Sequence, residues 1–134
     1  MKALSLLQPW ATLVVLGYKT IETRSWSTAW RGTILVHASK GKGGAEVCNL
    51  PAFKKYIPDF NALPFGAILG EVQVVDVIRI AELAHTPEAL EKLTLEERAF
   101  GDYRAGRFAW LLEEPVEFGA PIPAKGALGL WDAG

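Results

Sequence analysis

Gly17-Tyr18-Lys19-Thr20-Ile21-Glu22-Thr23-Arg24-Ser25-Trp26 is the stretch from which the rest of this chain is best read. Its glycine can end a helix in the left-handed conformation, and a β-branched, polar run follows. From Ile21 the residues alternate, with Ile21, Thr23 and Ser25 on one side and Glu22, Arg24 and Trp26 on the other, as an extended strand or arm requires. A carboxylate, a guanidinium and an indole should therefore share a face. Lys19 and Glu22 are three positions apart and fall on opposite faces of an extended segment, so Glu22 is expected to pair with Arg24.

Toward the N-terminus, Lys2 to Leu7 reads as an opening strand. Pro9 then opens a helix of about two turns, because its fixed φ suits the first turn and its missing N–H is not needed there. Trp10, Leu13 and Val14 give that helix an apolar face and Gly17 its stop. Toward the C-terminus, Thr33 to Ala38 is a β-branched strand, and Ser39 to Gly44 is a basic loop with three glycines and two lysines. Glu46 to Tyr56 has helical character broken by Pro51. Ala67 to Ile80 is the strongest strand, with Gly66 and Gly70 at its start allowing a bulge or a close backbone approach.

Thr86-Pro87 reads as an N-cap followed by a helix start, and Thr94 with Glu97 repeats the capping-box spacing of a second short helix ending at Gly101. Strands follow at Arg107 to Leu112, Val116 to Phe118 and Ala127 to Trp131. Six or so strands, short helices and little βαβ rhythm predict an α+β fold: a small closed or half-open β-barrel with helices packed at its ends.

At 134 residues the chain has room for one domain, residues 1–134, and 50% apolar with 22% charged residues is the balance of a folded protein, not a disordered one. No apolar run approaches the roughly 20 residues needed to cross a bilayer, and no secretory leader is legible, so a cytoplasmic protein without membrane contact is expected. Cys48, His37 and His85 are the whole supply of soft metal ligands, which leaves no structural zinc site and no cofactor expectation.

The formal net charge of −1 argues at first sight against a nucleic-acid partner, but it hides a division. Up to Tyr56 eight bases face two acids, a net of +6; from Ile57 six bases face thirteen acids, a net of −7. The basic half carries Lys19, Arg24 and Arg31 close in sequence to Trp10, Trp26 and Trp30. Cations for phosphate beside flat rings for base stacking are what a nucleotide site needs.

Gln8-Pro9-Trp10-Ala11, Gly17 to Trp26 and Trp30-Arg31-Gly32 come in that order. With Gly66-Ala67-Ile68-Leu69-Gly70, Gly106 to Trp110 and Lys125 to Trp131, they give the chain a close resemblance to the ASCH domain family of the PUA-like superfamily. The resemblance spans nearly the whole chain. It implies a PUA-type β-barrel with a cleft rimmed by the first helix, the Lys-x-x-Glu-x-Arg segment and the later strands. The ligand class it implies is RNA, DNA or a modified nucleoside, with RNA preferred.

The expected ligand-binding residues are Trp10, Lys19, Glu22, Arg24, Trp26, Lys40, Arg107, Trp110 and Lys125. Lys19, Glu22 and Arg24 stand at the centre, Trp26 and Trp110 form ring walls, and Lys40 sits at the mouth. If the chain is an enzyme, Lys19 and Glu22 are the expected catalytic groups. The resemblance also reaches amidohydrolases for acetylated cytidine, whose Lys falls on Lys19 but whose Thr nucleophile position is Glu22 here. A carboxylate cannot replace an activated hydroxyl without a different mechanism. RNA cleavage and a regulatory protein-interaction module are the other readings that the family suggests. A monomer is expected.

Overall fold

The β-branched run that begins at Ala67 forms the backbone of the fold. In the computed structural model, which describes residues 1–134, it is strand β4 (Ala67–Arg79). The other strands are β1 (Lys2–Leu6), β2 (Ile21–Arg24), β3 (Gly32–Ala38), β5 (Phe108–Pro123) and β6 (Leu130–Asp132). They form one sheet in the order β2-β5-β4-β3-β1-β6, antiparallel except where β1 runs parallel to β3. β4 and β5 pair along most of their length with three register shifts, and such bulges bend a sheet. The sheet curls into a half-barrel, the α+β architecture expected.

Four short α-helices decorate it: α1 (Trp10–Val15), α2 (Pro51–Lys54), α3 (Pro87–Lys92) and α4 (Leu95–Phe100). Leu4, Leu6, Val14, Ile34, Val36, Leu69, Val72 and Trp110 fill the concave side, where alternate strand residues converge under α1. A smaller cluster of Leu13, Phe53, Ile57 and Phe100 fastens α2 and α4 to α1. No helix is long and apolar enough to cross a membrane.

Several local expectations need correction. Pro9 precedes α1 and does not open it. The fully buried Gln8 supplies the cap, its Oε1 accepting from the Thr12 N–H at 3.0 Å while its Nε2 donates to the Pro64 carbonyl at 2.9 Å. Arg107–Leu112 and Val116–Phe118 are one strand, because Glu114 takes φ 51° and the chain bends there without leaving the ladder. The last strand is shorter than Ala127–Trp131, since Gly129 turns with φ 66° just before Leu130. Thr86 stands at the start of α3, but its hydroxyl donates to the Glu82 carbonyl and does not cap. Gly70 does mark a close approach: a Cβ there would lie 2.0 Å from the Val116 carbonyl oxygen.

Candidate functional site

The half-barrel has two edges, β2 and β6, and the site lies at the seam between them. β6 covers β1 only as far as Leu4. Beyond it the Ser5 carbonyl accepts from Arg24 Nη2 at 2.8 Å, so a guanidinium joins β2 to β1 where no ladder does. Along the seam runs an open trough of about 1410 Å³ whose floor and walls include Glu22, Arg24, Trp26, His37, Arg107 and the 123–129 segment. The two halves of the chain line it almost equally.

Behind one wall is a buried ionic quartet. Lys19 is 1% exposed; its Nζ donates to the Ile21 carbonyl and lies 3.7 Å from Glu22 Oε1 and 3.8 Å from Glu97 Oε2. Glu22 Oε2 accepts from Arg24 Nε at 2.9 Å. Glu97 accepts from the Thr20 N–H and hydroxyl, so a residue of α4 ties down the start of β2. Two cations balance two carboxylates, and each partner neutralises a charge that burial alone would make costly. Burial pushes the Glu97 carboxyl up, against the opposing pull of Lys19 and the Thr20 hydrogen bonds.

The outward carbonyls of edge strand β2 are covered by the same device. Lys19 takes that of Ile21, and Arg107 Nη2 takes that of Thr23 at 3.2 Å. Arg107 Nε also donates to the Asp102 carbonyl at 3.0 Å. Hydrogen bonds from Arg104, whose guanidinium grips Asp102, hold that carboxyl down at about 2. Arg107 thus fixes the trough wall through Nε and Nη2.

On the opposite wall His37 is buried and held at both ring nitrogens. Its Nε2 donates to the Ala124 carbonyl at 2.8 Å and its Nδ1 accepts from Ser5 Oγ at 2.9 Å, while Ser5 Oγ accepts from Trp131 Nε1 at 3.1 Å. An Nε2–H ring accounts for all three bonds. Gly126 lies flat on this relay, and a Cβ there would come within 2.6 Å of His37 Cε1 and Ser5 Oγ. His37 is thus a buried histidine with both ring nitrogens satisfied.

The trough brings together Trp10, Glu22, Arg24, Trp26, Lys40, Arg107 and Lys125 of the expected site residues. Two expectations are corrected. Trp110 is fully buried and makes no ring wall: β5 turns it into the core, where it meets Trp26 edge-on at 5.0 Å. Lys19 borders a different cavity of about 220 Å³, with Gly17, Val72 and Lys92, and presents no amine to the trough. It still reaches Glu22, because β2 starts only at Ile21 and the strict alternation does not extend back to Lys19. Lys40 and Lys125 are the exposed cations, and neither has an acidic partner in the chain. Trp10 is anchored by its Nε1, which donates to the Phe100 carbonyl at 2.8 Å.

Glu97 and the apolar rim of Leu7, Val47, Leu50, Phe53 and Leu128 went unread in the sequence as site elements. Glu97 sits at capping-box spacing, and Thr94 does accept its N–H at 3.0 Å, but its carboxylate turns instead to Thr20. Nothing local distinguishes the two outcomes.

The profile of the ASCH domain family matches residues 4–121 of this chain. Activating signal cointegrator 1 of Mus musculus and that of Homo sapiens are each 30% identical to it over 134 residues, an alignment covering 96% of this chain and 21% of each relative. The chain therefore spans about a fifth of the length of these curated relatives. Among solved structures, ASCH from Zymomonas mobilis superposes with a TM-score of 0.52 at 17% identity, covering 91% of this chain and 72% of that one. A serine-to-alanine mutant of the Zymomonas mobilis protein gives a TM-score of 0.54 at 19% identity, with the same coverage of both chains. At such identities the likeness is one of fold.

Proposed function

This chain belongs to the ASCH domain family, and on that premise we propose that its trough binds single-stranded nucleic acid, RNA being the expected class. The observation that carries the proposal is the meeting, in one open trough, of unpaired cations with half-buried indole side chains: Lys40 and Lys125 on one hand, Trp10 and Trp26 on the other. Phosphate attraction supplies affinity at any sequence, and stacking on an indole is worth about 1–3 kcal/mol per base. A volume of about 1410 Å³ exceeds the roughly 300–1,000 Å³ usual for a small-molecule site, which favours a strand over a free nucleoside. The preference for RNA over DNA rests on the superfamily alone.

The test is titration of a fluorescently labelled single-stranded RNA at several salt concentrations. Binding should weaken steeply as salt rises. Trp26→Ala should cost about 1–3 kcal/mol of affinity, the value of one stacked base. An RNA affinity that ignores salt, or one that Trp26→Ala leaves unchanged, would defeat the proposal.

A further inference from the structure

Within the trough the two carboxylate oxygens of Glu22 are unequally occupied. Oε2 accepts from Arg24 Nε at 2.9 Å. Oε1 has Lys19 Nζ at 3.7 Å, beyond hydrogen-bonding distance, and accepts no hydrogen bond within the chain. Glu22 lines the trough and is 8% exposed, so its carboxylate, with one oxygen free of hydrogen bonds from the chain, is a shielded acceptor beside an open cavity. A carboxylate held between two cations offers acceptors only.

The charges also orient a nucleotide strand. Phosphate is attracted by Lys40 and Lys125, which are exposed and unpaired, whereas the Glu22 carboxylate, already balanced by Lys19 and Arg24, offers it no donor. With the backbone on the lysines, the group that meets Glu22 is a base edge. Trp26 follows on from β2 two residues beyond Arg24 and lines the same trough, where a base facing Glu22 can stack.

We propose that Glu22 is a specificity-determining residue, by which the trough selects a base with an exocyclic amino group and prefers cytosine to uracil. This rests on the reading of the trough as a single-strand site. Cytosine presents the N4 amino donor to the Glu22 carboxylate, the pairing by which carboxylates read cytosine elsewhere. Uracil presents O4 at the same place, so two acceptors with no proton between them face each other in a shielded site, which is more costly than the mere absence of a bond. The two bases have the same ring and nearly the same stacking area. The comparison therefore isolates this contact from the stacking and phosphate contributions.

The experiment compares oligo(rC) and oligo(rU) of equal length at neutral pH and fixed low salt, with oligo(rA) as a second amino-bearing base. Oligo(rC) should bind about tenfold more tightly than oligo(rU), or better, with oligo(rA) on the side of oligo(rC). Glu22→Gln carries both an acceptor and a donor, so it should bring the two pyrimidines to within about twofold, chiefly by improving oligo(rU). The wild-type ratio decides the matter even if that variant folds poorly. Equal binding of oligo(rC) and oligo(rU) by the wild type overturns the role of Glu22 and leaves the single-strand site standing. No binding of any oligomer overturns both.

Discussion

Lys19 and Lys40 are both lysines of the basic half of the chain, the one behind the trough wall and the other lining the trough, yet they do opposite work. Lys19 is buried, bonded to the Ile21 carbonyl and set between Glu22 and Glu97. Lys40 lies exposed along the trough, its stem packed over Gly66, with no carboxylate to answer it. The first holds the edge strand in place and orients the Glu22–Arg24 pair; the second is free to meet an anion. Proximity to a site is thus a different property from availability to a ligand, and the difference lies in which acids reach each amine.

The comparison breaks most visibly at Lys19. Removing one member of a buried ion pair leaves its partners charged and unmatched, which costs about 3–5 kcal/mol. Lys19→Ala should therefore lower the urea midpoint steeply, whereas Lys40→Ala should stay within about 0.5 kcal/mol of wild type, as exposed substitutions do. Equal midpoints for the two variants would show that the quartet does not hold the wall.

A smaller effect sharpens the account of the quartet from its acidic side. The Glu97 carboxyl is raised in the folded chain by burial. A raised value means that the folded state binds the proton more readily than the unfolded one. The stability linked to this group is then fully present below the ordinary glutamate range and is lost as pH rises through the folded value. Glu97→Gln keeps the shape without the titration. Its stability relative to wild type should improve as pH rises from about 4 to 7. Urea melts of both proteins across that range would test this, and a difference that is flat or runs the other way would mean that Lys19 outweighs burial.

How much of this was legible beforehand follows from the range of the interactions. Strands β1, β3 and β4 and the α1 stop at Gly17 are set by alternation, β-branching and a left-handed glycine, all visible within a few neighbours. The Glu22–Arg24 pair was legible for the same reason. The burial of Trp110 was not, because it depends on how β5 registers against both β2 and β4, where it pairs with Glu22 and Val77. The burial of Lys19 was not, because its second carboxylate arrives on α4 from a distant part of the chain. Arg107 lines the trough, but the Thr23 and Asp102 carbonyls that hold it belong to tertiary structure and left no local sign in the sequence.

The least disruptive change bears most directly on what the exposed lysines do. If Lys40 and Lys125 each meet one phosphate, removing both should leave the unfolding free energy within about 0.5 kcal/mol of wild type, since neither amine has a partner to strand. The slope of log affinity against log salt should nevertheless become shallower by about 1.4, at about 0.7 per phosphate on a single strand. Arg24 is unsuited to this test, because the Ser5 carbonyl and Glu22 already hold it and its loss opens the seam. A double variant with unchanged stability and an unchanged salt slope would place the phosphate contacts elsewhere and erase the contrast between the two lysines. An unchanged midpoint with the shallower slope would locate the electrostatic contribution to binding along the trough, apart from the buried charges that hold its wall.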